Sequence, residues 1–473
     1  MYADLETSVA ARSREETDAS PFLFSWRQVA IYTLVFGAFV LGLQRLLRHV
    51  CDDWIAFDCP YYWPVSIFEV RSPGITGLAM AVITAAVFIL AYRVLESRQF
   101  RVVLTVIFAS LLILGSTLIQ GTDVGLRAPV AGDARTGTLV PNSPEGQEYW
   151  HDAKTVTDPA YFFGHYNEIQ PTLHSHAHTH PPGAVLTYYF LSRLFADPAF
   201  ISLAIMLFSI TITVIFFYRL VATETGEITA RYMAFLFALL PTVQVYYLAT
   251  IDAVITSLLI VILYLFCFGK SRRHLYAAAC LLTISLLLTY VTIFLIPVLL
   301  GYELIVKRSV KRSAAVLATA FLAHTVLFIG TGYDAWHAFR EASHYENPNG
   351  FMLFVEPANY FFTRLEDVSE ILFFFGPFLI VLLWRGMKKI EFTPLFTLTV
   401  LGITTLLGMY LVGAWRTGET ARACAFIYPF MLFPIAKLLE LETDGSTKNA
   451  RLQLASLVFG QTLVMQALGT YHW

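Results

Sequence analysis

The sequence predicts an all-α, polytopic membrane protein. Hydrophobic residues make up 57% of the chain and the mean hydropathy is +0.62. Charged residues make up only 14%, whereas a soluble domain has about 25%. Apolar runs close to the roughly 20 residues that a helix needs to cross a bilayer recur throughout. About thirteen runs are predicted as spans: 28–48, 75–95, 102–120, 198–218, 228–246, 252–268, 274–290, 291–306, 313–331, 369–384, 394–413, 422–439 and 454–472.

The placement of Lys and Arg predicts the orientation, because short cytoplasmic loops retain positive charge. With the N-terminal tail 1–27 inside, the cytoplasmic segments hold 21 of the 32 lysines and arginines. We therefore expect a cytoplasmic N-terminus, one membrane domain over 28–473 and an extracytoplasmic loop at 121–197, in the plasma membrane. The net charge of −2 gives no indication of nucleic-acid binding.

The loop 121–197 ends in a polar junction, Thr179-His-Pro-Pro-Gly183. The apolar run that follows, 184–196, is too short to span a bilayer and contains Arg193, so an interfacial or half-inserted helix is predicted. The two prolines fix the chain direction immediately after His180. His180 is therefore the histidine that we expect to face a site.

Four histidines alternate at positions 174, 176, 178 and 180. In an extended strand they share one face and can offer ligands to a divalent metal, with His178 and His180 as the candidates. The alternative is a solvated loop whose histidines bond to lipid headgroups or neighbouring residues. The sequence requires no cofactor, and a divalent cation such as Mg²⁺ or Mn²⁺ stays an open alternative.

Carboxylates supply the candidate catalytic groups. Glu148 and Asp152 share a face if their segment is helical, and Tyr149 between them suits a membrane interface. A positioned carboxylate can deprotonate a hydroxyl nucleophile. Asp252 lies at the outer mouth of an apolar helix, where ionisable residues are functional candidates. The alternative role for Asp252 is that of a helix N-cap.

External basic residues suggest an anion site. Arg416 and Arg422 flank Glu419 in a short external loop, and guanidinium groups bind phosphate in bidentate fashion. The alternative is an Arg–Glu pair at the interface. Arg340 and His344, in the external segment 332–368, are weaker candidates for the same substrate-binding role.

Several consecutive runs carry a family resemblance. They are Thr179-His-Pro-Pro-Gly183, Leu191-Ser-Arg-Leu-Phe-Ala-Asp-Pro-Ala-Phe200, Phe216-Phe-Tyr-Arg-Leu-Val221 and Ala238-Leu-Leu-Pro-Thr-Val-Gln-Val-Tyr-Tyr-Leu-Ala-Thr-Ile-Asp252. Together they resemble the GT-C membrane glycosyltransferases, in the bacterial branch related to protein O-mannosyltransferases and the aminoarabinose transferase of lipid A. The resemblance covers about 125–270, and the rest of the chain only by its helix pattern.

The resemblance implies a GT-C architecture and inverting transfer from a polyprenyl-phosphate sugar to a hydroxyl of a glycan, lipid or protein, on the extracytoplasmic face of the membrane. It places one essential acid in the first large external loop and a second near the mouth of a later helix. Their counterparts here are Asp152, with Glu148 and Asp133 as alternatives, and Asp252. The family's acid pair is missing after the helix that ends near 120, so the loop 49–74 with Asp52 and Asp53 is an alternative catalytic loop.

A transporter or flippase of a polyprenyl-linked lipid or polar solute is the competing class. Transporters usually place polar residues and helix breaks near the bilayer midplane, in repeated halves. This chain concentrates its polar residues in external loops, which favours an enzyme. The first external loop also holds Cys51 and Cys59, and their pairing as a disulfide stays open.

Overall fold

A computed structural model describes residues 22–49, 72–133, 138–139, 149–389, 391–415, 420–442 and 447–469. Seven helices in this part of the chain are long and apolar enough to cross a membrane, or eight if a bent pair counts as one span. The all-α, polytopic class is therefore confirmed. The number of such helices among the described residues is smaller than the predicted number of about thirteen spans.

The first helices are followed by the short elements of the external loop. Three long helices come first: α1 (Trp26–His49), α2 (Gly74–Ser97) and α3 (Val102–Leu118). A π-helical turn then leads to the loop elements: Asp123–Arg127, α4 (Ala128–Ala131), β1 (Gly132–Asp133), β2 (Thr138–Leu139), α5 (Tyr149–Thr155), α6 (Pro159–Gly164), α7 (Tyr166–Ile169), the 3-10 turn Gln170–Thr172 and α8 (Ser175–His178). The two short strands pair antiparallel, with Gly132 opposite Leu139.

The remaining helices form the rest of the bundle. The central part consists of α9 (Pro182–Leu194), α10 (Pro198–Val221), α11 (Glu227–Ala238), α12 (Pro241–Tyr246), α13 (Ile251–Phe268), α14 (Arg272–Leu288), the 3-10 turn Tyr290–Phe294, α15 (Leu295–Lys307) and α16 (Lys311–Thr331). The last part consists of α17 (Ala335–Glu346), α18 (Met352–Val355), α19 (Pro357–Phe375), α20 (Pro377–Lys389), α21 (Pro394–Leu411), α22 (Thr420–Ala423), α23 (Ile427–Glu442) and α24 (Thr447–Leu468).

Two helix breaks account for part of the smaller number of spans. The predicted span 228–246 is two helices, because Pro241 has no N–H to donate and begins α12 instead. The predicted span 369–384 contains a bend of 98° between α19 and α20. Gly376 sits at this bend with φ of 89°, a conformation that favours glycine, and Pro377 follows it. Hydropathy alone does not register such breaks.

The long helix α10 extends from the external loop to the opposite end of the bundle. At its start, Asp197 caps the helix and pairs with Arg127 of the external loop, at 3.0 Å between Nη2 and Oδ2. Just past its end, the Gly226 amide donates to Glu440 at 3.1 Å. The 24 residues of α10 extend for about 36 Å, which is enough to cross a bilayer. The loops predicted outside and those predicted inside thus meet at opposite ends of α10.

The external loop is fixed to the bundle through α9, a helix of 13 residues. Pro181 precedes it with extended backbone and Pro182 occupies its first turn, a position where the missing N–H costs nothing. Gly183 then packs so closely on α14 that a Cβ would overlap the carbonyl oxygen of Leu287. The absence of a side chain at Gly183 is therefore required for this contact.

We expect Gly183→Ala to destabilise the protein by about 1–3 kcal/mol, because the added methyl forces α9 away from a backbone atom. The matched control is Gly330→Ala, at a helical position where a Cβ meets nothing within 4 Å and where the change should stay within about 1 kcal/mol. Thermal unfolding of the purified protein in detergent measures both. Equal stability of Gly183→Ala and wild type would refute the close-packing requirement.

Candidate functional site

The histidine tract is helical, and its side chains have different partners. Residues Ser175–His178 form the single turn α8, so rings two positions apart do not share a face. His174 contacts Asp152, whereas His178 lies 3.4 Å from Glu341 and stacks near Tyr345. The predicted one-faced strand of imidazoles is therefore wrong. Within the described ranges, no group of three His, Cys, Asp or Glu side chains could hold a metal ion.

Asp152 is buried on α5, with 4% of its surface exposed. His174 donates to it twice, from Nδ1 to Oδ1 at 2.8 Å and from the backbone N–H to Oδ2 at 3.2 Å. Burial raises the pKa of the Asp152 carboxyl, and the two bonds from His174 oppose that rise. Asp152 is therefore a carboxylate that His174 fixes in position, and it is more basic than an ordinary aspartate.

His180 lies beside Tyr149, with 5.3 Å between the ring centroids. Its Nδ1 is 2.8 Å from the carbonyl oxygen of His176, so Nδ1 carries the proton and Nε2 is an acceptor. Desolvation lowers the pKa of His180 to about 4; the bond to His176 opposes this shift and the nearby Arg422 adds to it. The ring is therefore neutral at physiological pH.

A stack of two tyrosines links the external loop to the start of α13. Tyr149 and Tyr188 stack with ring centroids 5.6 Å apart. The Tyr188 hydroxyl donates to the carbonyl oxygen of Ala249 at 2.5 Å. Ala249 has φ of 78°, a left-handed conformation that costs a non-glycine residue about 1–2 kcal/mol. The chain holds this costly turn immediately before the helix that carries Asp252.

Asp252 is a first-turn residue of α13 and does not cap it. The N-cap is Thr250, whose hydroxyl accepts from the Ala253 amide, so the N-cap alternative for Asp252 is wrong. Asp252 is 9% exposed, and its Oδ2 lies 3.5 Å from Nε of Arg422, which is equally buried. Two groups from distant parts of the sequence thus form a buried ion pair at the mouth of α13.

Two contacts hold the short helix α22 and Arg422 with it. Thr420 donates from its amide to Glu370 at 2.7 Å and from its hydroxyl to the same oxygen at 3.0 Å. Thr242 donates to the carbonyl oxygen of Ala421 at 2.7 Å. The backbone immediately before Arg422 is therefore tied to α19 and α12.

Helix α19 also anchors the chain that leads to this segment. Arg364 donates to the carbonyl oxygens of Tyr410 and Trp415 and pairs with Asp367, at 2.8 Å from Nε to Oδ2. Trp415 and Thr420, on the two sides of 416–419, are thus both bound to one stretch of α19. Residues 364–370 fix where this loop leaves and re-enters the bundle.

The sequence interpretation missed Tyr188 and Glu370. Tyr188 occurs in an ordinary apolar run, so only the fold reveals its contacts. Glu370 had a detectable signal: Glu366, Asp367 and Glu370 recur at helical spacing just before an apolar segment. Carboxylates on one face of such a helix indicate a buried polar function.

The structure brings Tyr149, His180, Asp252 and Arg422 together, with Asp152 one helical turn from Tyr149. Arg340 and His344 are on the exposed side of α17. Four predicted positions, and the cysteine pair with Asp52 and Asp53, lie outside what the structure describes: Glu148, Arg416, Glu419 and the side chain of Asp133.

Comparison with known families gives a match over a segment that contains part of this site. Residues 179–330 match the family model of dolichyl-phosphate-mannose-protein mannosyltransferases. The match confirms the resemblance to the GT-C membrane glycosyltransferases. It includes His180 and Asp252 and leaves Asp152 and Arg422 outside. Comparison with curated proteins gives no match.

The apolar helices and the family match both bear on the class of protein. The chain is an integral membrane protein. The family that matches about a third of the chain is one of membrane glycosyltransferases.

Proposed function

We propose that the protein transfers a sugar from a polyprenyl-phosphate donor to a hydroxyl of a glycan, lipid or protein acceptor on the extracytoplasmic face, with inversion. The observation that carries this proposal is the convergence of Asp252, Arg422 and neutral His180 at the mouth of α13. A buried guanidinium next to an apolar bundle suits the phosphate of a lipid carrier.

In this mechanism the acceptor oxygen attacks the anomeric carbon from the side opposite the phosphate. The bond from that carbon to the phosphate oxygen breaks, the proton of the hydroxyl passes to Asp152, and polyprenyl phosphate leaves. Asp152 suits the base role because burial raises its pKa while His174 keeps it oriented. Arg422 stabilises the charge that develops on the leaving phosphate.

Asp252 has a different role from Asp152 because its partner is a guanidinium. It orients Arg422 before the donor binds, at 3.5 Å. His180 offers Nε2 as an acceptor for a sugar hydroxyl, since its Nδ1 is engaged by His176. With an N-terminus in the cytoplasm, as the Lys and Arg distribution predicts, this cluster faces the outside of the plasma membrane.

Transfer of label from a panel of polyprenyl-phosphate sugars in membranes tests the proposal. We expect at least one donor to label an acceptor in wild type, and Asp152→Asn and Asp252→Asn each to lower the rate about 100-fold or more. The matched control is Asp123→Asn, because Asp123 is an external carboxylate with 62% of its side chain exposed.

Normal rates in both aspartate variants would show that the site assignment is wrong. If no donor labels an acceptor but a labelled lipid or solute crosses the membrane, the protein is a transporter.

The pH dependence of transfer provides a second test. Removal of the His174 ring by His174→Phe takes away a bond that stabilises the ionised form of Asp152, so the pKa of Asp152 should rise further. A base with a higher pKa loses its charge earlier as the pH falls. The acid limb of the rate profile should therefore move to higher pH.

The control for this prediction is His165→Phe, because His165 is exposed and its Nδ1 bonds to the carbonyl oxygen of Tyr161. Its profile should coincide with that of wild type. An acid limb that stays in place in His174→Phe would exclude Asp152 as the titrating base.

A further inference from the structure

A cavity lies outside the cluster described above, between α5 and α9. Its volume is about 240 Å³, below the roughly 300 Å³ that a drug-sized ligand occupies. Six lining residues matter for its chemistry: Trp150, Ala153, Lys154, Tyr189, Ser192 and Arg193. They come from one face of each helix, since their spacings are three and four residues.

Two cationic side chains line this cavity, one from each helix. The Lys154 ammonium lies 3.3 Å from the ring centre of Trp150, and the Arg193 guanidinium 5.0 Å from that of Tyr189. Contacts with aromatic faces position a cation without neutralising its charge. Among the described residues neither cation has a carboxylate partner, and none of the lining side chains is acidic. The cavity therefore attracts anions.

The cavity is separate from the candidate active site. Asp152 lies on the opposite side of α5 from Lys154 and bonds to His174, and Tyr188 of α9 bonds to Ala249. None of the residues of the candidate site lines the cavity. A ligand of the cavity need not be the donor or the acceptor of the proposed transfer.

The residues around Arg193 indicate which kind of molecule carries the anionic group. Phe190 and Leu194, on the adjoining side of α9, are 56% and 73% exposed. A short helix with exposed apolar side chains beside a basic residue lies in the membrane interface, with its charge at the level of the lipid headgroups. An anionic phospholipid suits both the basic residue and the exposed apolar side chains beside it.

We propose that the cavity between α5 and α9 binds the phosphate of an anionic phospholipid headgroup. The Arg193 guanidinium suits two phosphate oxygens and the Lys154 ammonium adds a point charge. The Ser192 hydroxyl donates to the carbonyl oxygen of Tyr189 at 2.8 Å, so its oxygen can accept from a headgroup hydroxyl. Occupation would stabilise α9 against α5 at the membrane surface, independently of any sugar transfer.

Lipid binding by the purified full-length protein in a neutral detergent tests the proposal. Short-chain phosphatidylglycerol is titrated against wild type and against the double variant Lys154→Gln/Arg193→Gln, with binding followed by calorimetry. We expect the double variant to bind about tenfold more weakly, since each cation near a lipid surface contributes a modest attraction. Both residues are exposed, so the variant should fold, which an unchanged thermal midpoint would show.

The matched control is Arg219→Gln, because Arg219 also lies over an aromatic ring, 5.3 Å from Phe216, but at the other end of α10. Its affinity should equal that of wild type, and phosphatidylcholine should bind all three proteins alike. Unchanged affinity in the double variant, or an equal loss in Arg219→Gln, would overturn the proposal. Displacement of the lipid by an equal concentration of inorganic phosphate would show a site for free anions and overturn the lipid assignment.

Discussion

The buried ion pair between Asp252 and Arg422 is the contact on which the arrangement of the candidate site depends. Each group is taken out of water, at a cost that only close partners and hydrogen bonds can offset. The pair joins α13, within the segment that matches the family, to α22, far outside it. Its geometry therefore requires that both helices be held in place by other contacts.

Those contacts come from different parts of the fold. On the α13 side, Tyr188 holds the left-handed turn at Ala249. On the α22 side, Glu370 holds Thr420. Because Tyr188 belongs to α9, the close contact of Gly183 with α14 also contributes to the position of Asp252. The Thr179–Gly183 junction thus has a structural role for the site besides presenting His180.

The charges of the site follow from this burial. Desolvation keeps His180 neutral, so the positive charge near the mouth of α13 belongs to Arg422. Asp152 lies apart from this pair; burial raises the pKa of its carboxyl, and the bonds from His174 oppose that rise. A cationic position for phosphate and a separate basic carboxylate are the two groups that the proposed inverting transfer needs.

The sequence could indicate those features that are local. The helical class follows from apolar runs, and Asp252 and Arg422 stand out because charged residues are rare beside such runs. The number of spans could not be read in the same way, because Gly376 and Pro241 break helices inside segments that remain apolar as a whole. The alternating histidines suggested a strand, but backbone hydrogen bonds form the turn Ser175–His178. The roles of Tyr188 and Glu370 depend on contacts between residues far apart in the chain, which one sequence does not reveal.

The central claim is that Asp252 and Arg422 act as one unit on the donor. A double-mutant cycle with Asp252→Asn, Arg422→Gln and the combined variant, measured as the rate of label transfer from the polyprenyl-phosphate donor, tests it most directly. For residues acting as a unit, the double variant should lose about as much activity as the more damaging single change. Losses that simply add, as for independent sites, would contradict the account.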